Sequence, residues 1–169
     1  MLRRVSMLEV ERERPDLAEP AEPTAPMNRM AIAVFALFGL IISGYMLLYK
    51  VGVLSSLACG TGSCEAVQAS PWAAFLGVPV PLIGALGYGL IFCLALAGIQ
   101  PTRVYDRRVA TALFALTAVA FVFSMYLTAV EAFWIRAWCR WCVASAIVAA
   151  LLFVSAFPEL PRLRKSAHG

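Results

Sequence analysis

Polar positions gather at the two ends of the chain and in three intervals between, leaving four long apolar runs. The runs extend from about Met30 to Tyr49, Val80 to Ile99, Val109 to Val130 and Trp141 to Phe157, the last stopping before Pro158. Each is apolar all the way round, which sets it apart from a surface helix with a single apolar stripe. A hydrocarbon layer about 30 Å thick takes roughly 20 apolar residues at about 1.5 Å each, so the pattern predicts four membrane-spanning helices. The expected fold class is an all-α integral membrane protein, a four-transmembrane-helix bundle.

Composition strengthens this picture. With 62% hydrophobic and 14% charged residues in 169, too little polar material exists to coat a water-soluble globule. A soluble enzyme, a disordered regulator and a compact disulfide-dense secreted domain are thereby excluded. The net charge of +4 matters mainly through where the basic residues fall. Eleven lie in the leader, the interval 100–108 and the tail, against Lys50, Arg136 and Arg140 in the other two intervals. Both termini are therefore expected on the cytoplasmic side, with loops 50–79 and 131–140 facing outward. Residues 1–29, with Pro15, Pro20, Pro23 and Pro26 among mixed charges, read as a disordered cytoplasmic tail, and 158–169 as a basic one. The leader is too long and mixed in charge for a signal peptide, Met27 offers an alternative start, and Leu57-Ala58-Cys59 lies too deep in the chain for a lipoprotein site.

Four of the five cysteines fall in the outward loops, and Cys93 falls mid-span, where a thiol is usually inert packing. Cys139-Arg140-Trp141-Cys142 forms a C-x-x-C opening a helix, where unpaired N–H groups and the nearby Arg136 and Arg140 favour a reactive thiolate. Cys59-Gly60-Thr61-Gly62-Ser63-Cys64 holds a second pair on a flexible loop whose glycines let the sulfurs approach. A mobile pair and a fixed pair on one face suggest a thiol–disulfide relay. Two other readings compete: one zinc ion held by all four cysteines, and static staples on a non-catalytic membrane scaffold. No charge sits in the middle of a span, as an ion pathway would require. Glu131, at the outer end of the third span, either tunes the site or meets water.

From Met30 to Phe157 the arrangement resembles the vitamin K epoxide reductase family, specifically its bacterial members. The resemblance rests on Cys59 and Cys64, on Ser70, on Gly77-Val78-Pro79-Val80-Pro81-Leu82-Ile83-Gly84, and on Cys139-Arg140-Trp141-Cys142. In quinone-coupled oxidases of the DsbB type the C-x-x-C lies instead in the first outer loop. The resemblance implies a bundle with an outer-face loop and half-helix capping a quinone site, in a bacterial inner membrane. It implies that Cys59 meets an external thiol protein, Cys64 exchanges with Cys139, and Cys142 faces the quinone, menaquinone or ubiquinone. Ser70 would hydrogen-bond a quinone carbonyl, and Trp72, Leu127 and Trp141 would line the pocket. Read without the resemblance, Ser70 before Pro71 ends a turn, the tryptophans Trp72, Trp134, Trp138 and Trp141 form an interfacial belt, and Leu127 is an ordinary span residue. Ala146 stands where animal members carry a tyrosine, so epoxide chemistry is not expected. With no thioredoxin-like domain before Gly169, the expected partner is a separate DsbA-like protein, reoxidised to support disulfide bond formation.

Overall fold

The computed structural model describes residues 27–60, 63–100, 102–103 and 106–159. Helix α1 spans Met27–Lys50, short helix α2 spans Ser63–Ala69, and a 3-10 turn covers Pro71–Ala73. Strands β1 (Ala74–Phe75) and β2 (Val78–Pro79) form a hairpin leading into α3, Val80–Ile99. Helix α4 (Arg107–Val130) continues through a π turn, Glu131–Ile135, and α5 covers Arg140–Ala156.

Local chemistry explains the boundaries. Pro81 sits in the first turn of α3, where its missing N–H is no loss. Asp106 caps α4, its side chain accepting from Arg108 N at 2.8 Å. The π turn ends at Arg136, whose φ of 54° is left-handed and cannot continue a helix. In the hairpin, Ala74 pairs with Pro79 and Phe75 with Val78. The two residues at its turn, Leu76 at φ 52° and Gly77 at φ 82°, take the doubly positive geometry that matches strand twist.

The four long helices form a closed bundle in which α1 packs along α3 and α5, and α4 along α5 and α3. Ile32, Ala36, Ile91, Ala95, Leu113 and Leu152 are central to its core. Gly39 admits the Tyr88 ring, since a Cβ there would lie 2.6 Å from it. Large apolar side chains point outward all round, among them Phe38, Ile41, Leu86, Val119, Val122 and Val154. Faces of this kind suit lipid rather than water. Three helical stretches, Met27–Lys50, Val80–Ile99 and Arg107–Ile135, are long and apolar enough to cross a membrane, while the apolar Arg140–Ala156 is shorter at 17 residues.

The first helix begins at Met27, so residues 27–29, expected in the leader, belong to the bundle. Arg29 is fully buried and bonds Glu159 through Nη2–Oε2 at 2.8 Å and Nε–Oε1 at 3.0 Å. Its Nη1 donates to Gly98 O at 2.7 Å. This clasp joins the start of α1, the end of α3 and the segment after α5, placing those three chain positions at one end of the bundle. Of the tails expected at 1–29 and 158–169, residues 27–29 and Glu159 take part in the bundle, and 1–26 and 160–169 lie outside the described residues.

Candidate functional site

At the opposite end of the bundle the chain between α1 and α3 folds back over the helix ends. Cys59 and Cys64 are joined by a disulfide with Cα atoms 6.1 Å apart. Gly60, at φ 70°, turns the chain between them, and a Cβ there would approach Arg140 Nη1 at 3.7 Å. The turn therefore lies over the first turn of α5. Tyr45 Oη accepts from Ala58 N at 2.9 Å, and Lys50 Nζ donates to Gln68 O at 2.7 Å near the carbonyl end of α2. Two aromatic contacts tie the rest of the loop to the α4 region: Trp72 with Trp134 at 6.1 Å, and Phe75 with Phe123 at 5.7 Å.

Two expectations for this loop change. Cys64 lies in α2 rather than on irregular chain, and both bonded cysteines are buried, at 2% and 0% exposure. Cys59 and Cys64 are bonded to each other while Cys139 and Cys142 are free, so the four sulfurs stand here as a disulfide and a dithiol and not as one set of four thiolates.

Cys139 and Cys142 are free thiols, the first buried and the second half-buried. Cys139 is the N-cap of α5, and its Sγ accepts from Cys142 N at 3.3 Å. The sulfur thus takes the part an oxygen plays at most helix starts. The Cys139 thiol is held below the ordinary cysteine value, first by its hydrogen bond with the Cys142 thiol, then by the N–H groups of Cys142 and Trp141, against burial and the Glu131 charge. This dithiol and the disulfide belong to one buried cluster: Cys59, Cys64 and Cys139 pack with Met46, Leu57 and Val67, and Trp141 and Cys142 lie against it. The structure therefore brings the two sulfur pairs together, as a relay requires.

Beside the dithiol lies a cavity of about 360 Å³. Its walls are mostly apolar, and its polar side chains include Gln68, Tyr88, Glu131, Cys142 and Ser145. Trp72 and Leu127 line it, as does Cys142. Ser70 and Trp141 do not. The Ser70 hydroxyl donates to Val67 O at 2.7 Å, ending α2, and the Trp141 ring packs on Tyr45 at 4.9 Å within the cysteine cluster. Trp141 Nε1 is buried and has no hydrogen-bond partner among the described residues. The cavity's size and its apolar walls with a few polar groups are those of a small-molecule site, and they fit an apolar redox ring held against a thiol.

Glu131, expected either to tune the site or to meet water, faces the site. The π turn directs it inward, where it is 4% exposed and its Oε2 accepts from Cys139 N at 3.2 Å. A carboxylate oxygen and the two sulfurs lie within 4.8 Å of one another. Its signal in the sequence was its isolation, as the one acidic residue between Asp106 and Glu159, eight residues before Cys139.

A bundle with lipid-suited faces, a buried disulfide and an activated dithiol in one cluster defines a membrane protein of thiol–disulfide redox chemistry. Residues 30–157 match the model of the vitamin K epoxide reductase family, and the chain belongs to that family. Its members are oxidoreductases, and this one carries a bonded cysteine pair of the kind such chemistry uses.

Proposed function

We propose that this protein reoxidises a separate DsbA-like thioredoxin-fold partner on the outer face of a bacterial inner membrane and passes the electrons to a membrane quinone. The observation that carries this reading is that one buried cluster holds both cysteine pairs while Cys142 also lines the apolar cavity. All four long helices span the membrane in this reading. Helix α5, at 17 residues and about 26 Å, is the shortest, and both termini are cytoplasmic.

Cys59 exchanges with the partner's thiols: the Cys59–Cys64 bond breaks, the partner gains a disulfide, and the loop becomes a dithiol. Burial of both loop sulfurs means the loop must open for this step. Cys64 then exchanges with Cys139, so oxidising equivalents held as a Cys139–Cys142 disulfide move to the loop. The resulting Cys139–Cys142 dithiol gives two electrons to the acceptor, which leaves as quinol. Trp72, Leu127, Gln68 and Cys142 would hold the quinone ring, and the quinone supplies a lipid-soluble two-electron sink. A DsbA-type partner sits near −120 mV, about the most oxidising of common thiol proteins, so its acceptor must be at least comparably oxidising.

The test is to mix purified reduced DsbA-like protein with this protein and a soluble quinone analogue, and to follow quinol formation. Cys142→Ser should abolish quinol formation while loop-to-Cys139 exchange persists; quinol formation surviving that change refutes the electron path. A non-catalytic scaffold with a structural bridge is distinguished by redox titration. Structural bridges have potentials below about −300 mV and so resist mild reductants, whereas shuttle bridges titrate well above that value.

A further inference from the structure

We propose that Glu131 carries the proton of the dithiol-to-acceptor step, taking it from the Cys142 thiol and delivering it to an acceptor oxygen in the cavity. The inference rests on the quinone-reductase reading above and assigns the proton path within it. Three observations support it. Glu131 touches both sides of the reaction, since it lines the cavity and its carboxylate is within 4.8 Å of both sulfurs. It is anchored, with Oε2 engaged by Cys139 N at 3.2 Å, which holds the carboxylate beside the Cys142 thiol. It has no competitor as a carboxylate: among the described residues lining the cavity, the other titratable groups are Cys142 and Tyr88, and none is His, Lys or Arg. The Tyr88 hydroxyl is already engaged by the backbone oxygen and hydroxyl of Ser145, at 3.0 and 2.8 Å.

The step balances as follows. Two S–H bonds break, the Cys139–Cys142 bond forms, and two electrons pass to the quinone, which gains a proton on each oxygen. One proton travels by way of Glu131, neutral while it holds it and a carboxylate again after release. The other, lost when Cys139 ionises, reaches the second oxygen from water. Apposing a thiolate and a carboxylate this closely is electrostatically costly, so a site holding one mobile proton between them favours its transfer. Cys139 and Cys142, at the start of α5, lie against Glu131, and Tyr88 of α3 lines the same cavity; these are the titrations a pH profile would have to separate.

The test compares wild type, Glu131→Gln and Glu131→Asp, each fully reduced and mixed in detergent with a soluble quinone analogue in a single turnover. Glu131→Gln should slow quinol formation about 100-fold, the low end of positioned proton transfer. It should also abolish the acidic limb of the wild-type pH profile, and Glu131→Asp should restore part of both. A second readout needs no quinone: alkylation of Cys139 in the reduced protein, read by mass spectrometry. Removing the negative charge beside Cys139 should leave this rate unchanged or raise it, so the two readouts move apart. A fall in both together marks Glu131 as a structural support and overturns the proposal, as does a Glu131→Gln rate equal to wild type. If wild type itself reduces no quinone, the functional reading fails and the proton path falls with it, an outcome distinct from failure of Glu131 alone.

Discussion

Replacing Glu159 with alanine should destabilise the bundle by about 3–5 kcal/mol, because it strands a charge that is wholly out of water. Both side chains of the Arg29–Glu159 pair are 0% exposed, and the two oxygens of one carboxylate take the two guanidinium contacts at 2.8 and 3.0 Å. Hydrogen bonds to charged groups contribute about 1.5–3 kcal/mol each, so the lost contacts alone account for the lower bound. With Glu159 gone, Arg29 keeps the carbonyls of Gly98 and Arg103 at 2.7 and 3.3 Å, which solvate the cation without neutralising it. Removing both charges, as Arg29→Met with Glu159→Leu, should cost far less than the sum of the single changes, because a buried pair also carries a desolvation penalty. The assay is unfolding in mixed micelles with rising SDS, followed by the fluorescence of the four tryptophans. A coupling energy above about 2 kcal/mol is expected. Single variants within about 0.5 kcal/mol of wild type would show that water reaches the pair and would refute the argument.

Further outcomes follow from the sulfur end. Cys64→Ser should trap a mixed disulfide between Cys59 and the thiol partner on non-reducing gels, and its absence would reverse the assigned order. The alkylation rate of Cys139 should inflect below the pH usual for cysteine, with thiolate persisting on the acid side of that value; Cys142→Ala removes the chief cause, the side-chain donor, and should move the inflection upward. Ser70→Ala should leave the apparent quinone KM within about threefold of wild type while loosening the end of α2, since its hydroxyl bonds Val67 O rather than the cavity. Leu76→Asn should stabilise the hairpin by up to about 1 kcal/mol, because asparagine tolerates positive φ better than leucine; an unchanged or lower melting temperature counts against the turn geometry.

The apolar runs made the long helices legible, since length and all-round hydrophobicity are local properties. What escaped the sequence depended on partners far away. Asn28 and Arg29 look like leader residues until the Glu159 carboxylate, about 130 positions along the chain, accepts from both side chains. Trp72 and Leu127 were expected at the cavity and line it, whereas Trp141 turns to Tyr45. The first loop was read as flexible from its glycines, and its sulfurs are nevertheless buried because α2 and Tyr45 hold the chain down. Glu131 was placed near the right end of its helix, yet its direction was not readable. A π turn shifts the angular position of every side chain within it, and no residue type announces that shift.

The sulfur of Cys139 caps a helix and, in the proposed relay, also carries electrons, so turnover would be felt in the backbone. When Cys139 joins Cys142, the acceptor holding the Cys142 amide becomes part of a covalent bridge, and the opening turn of α5 loses its reduced-state stop. Caps of this kind contribute on the order of 1 kcal/mol. Amide hydrogen exchange at that turn is accordingly a built-in gauge of oxidation state, readable without any label on the thiols.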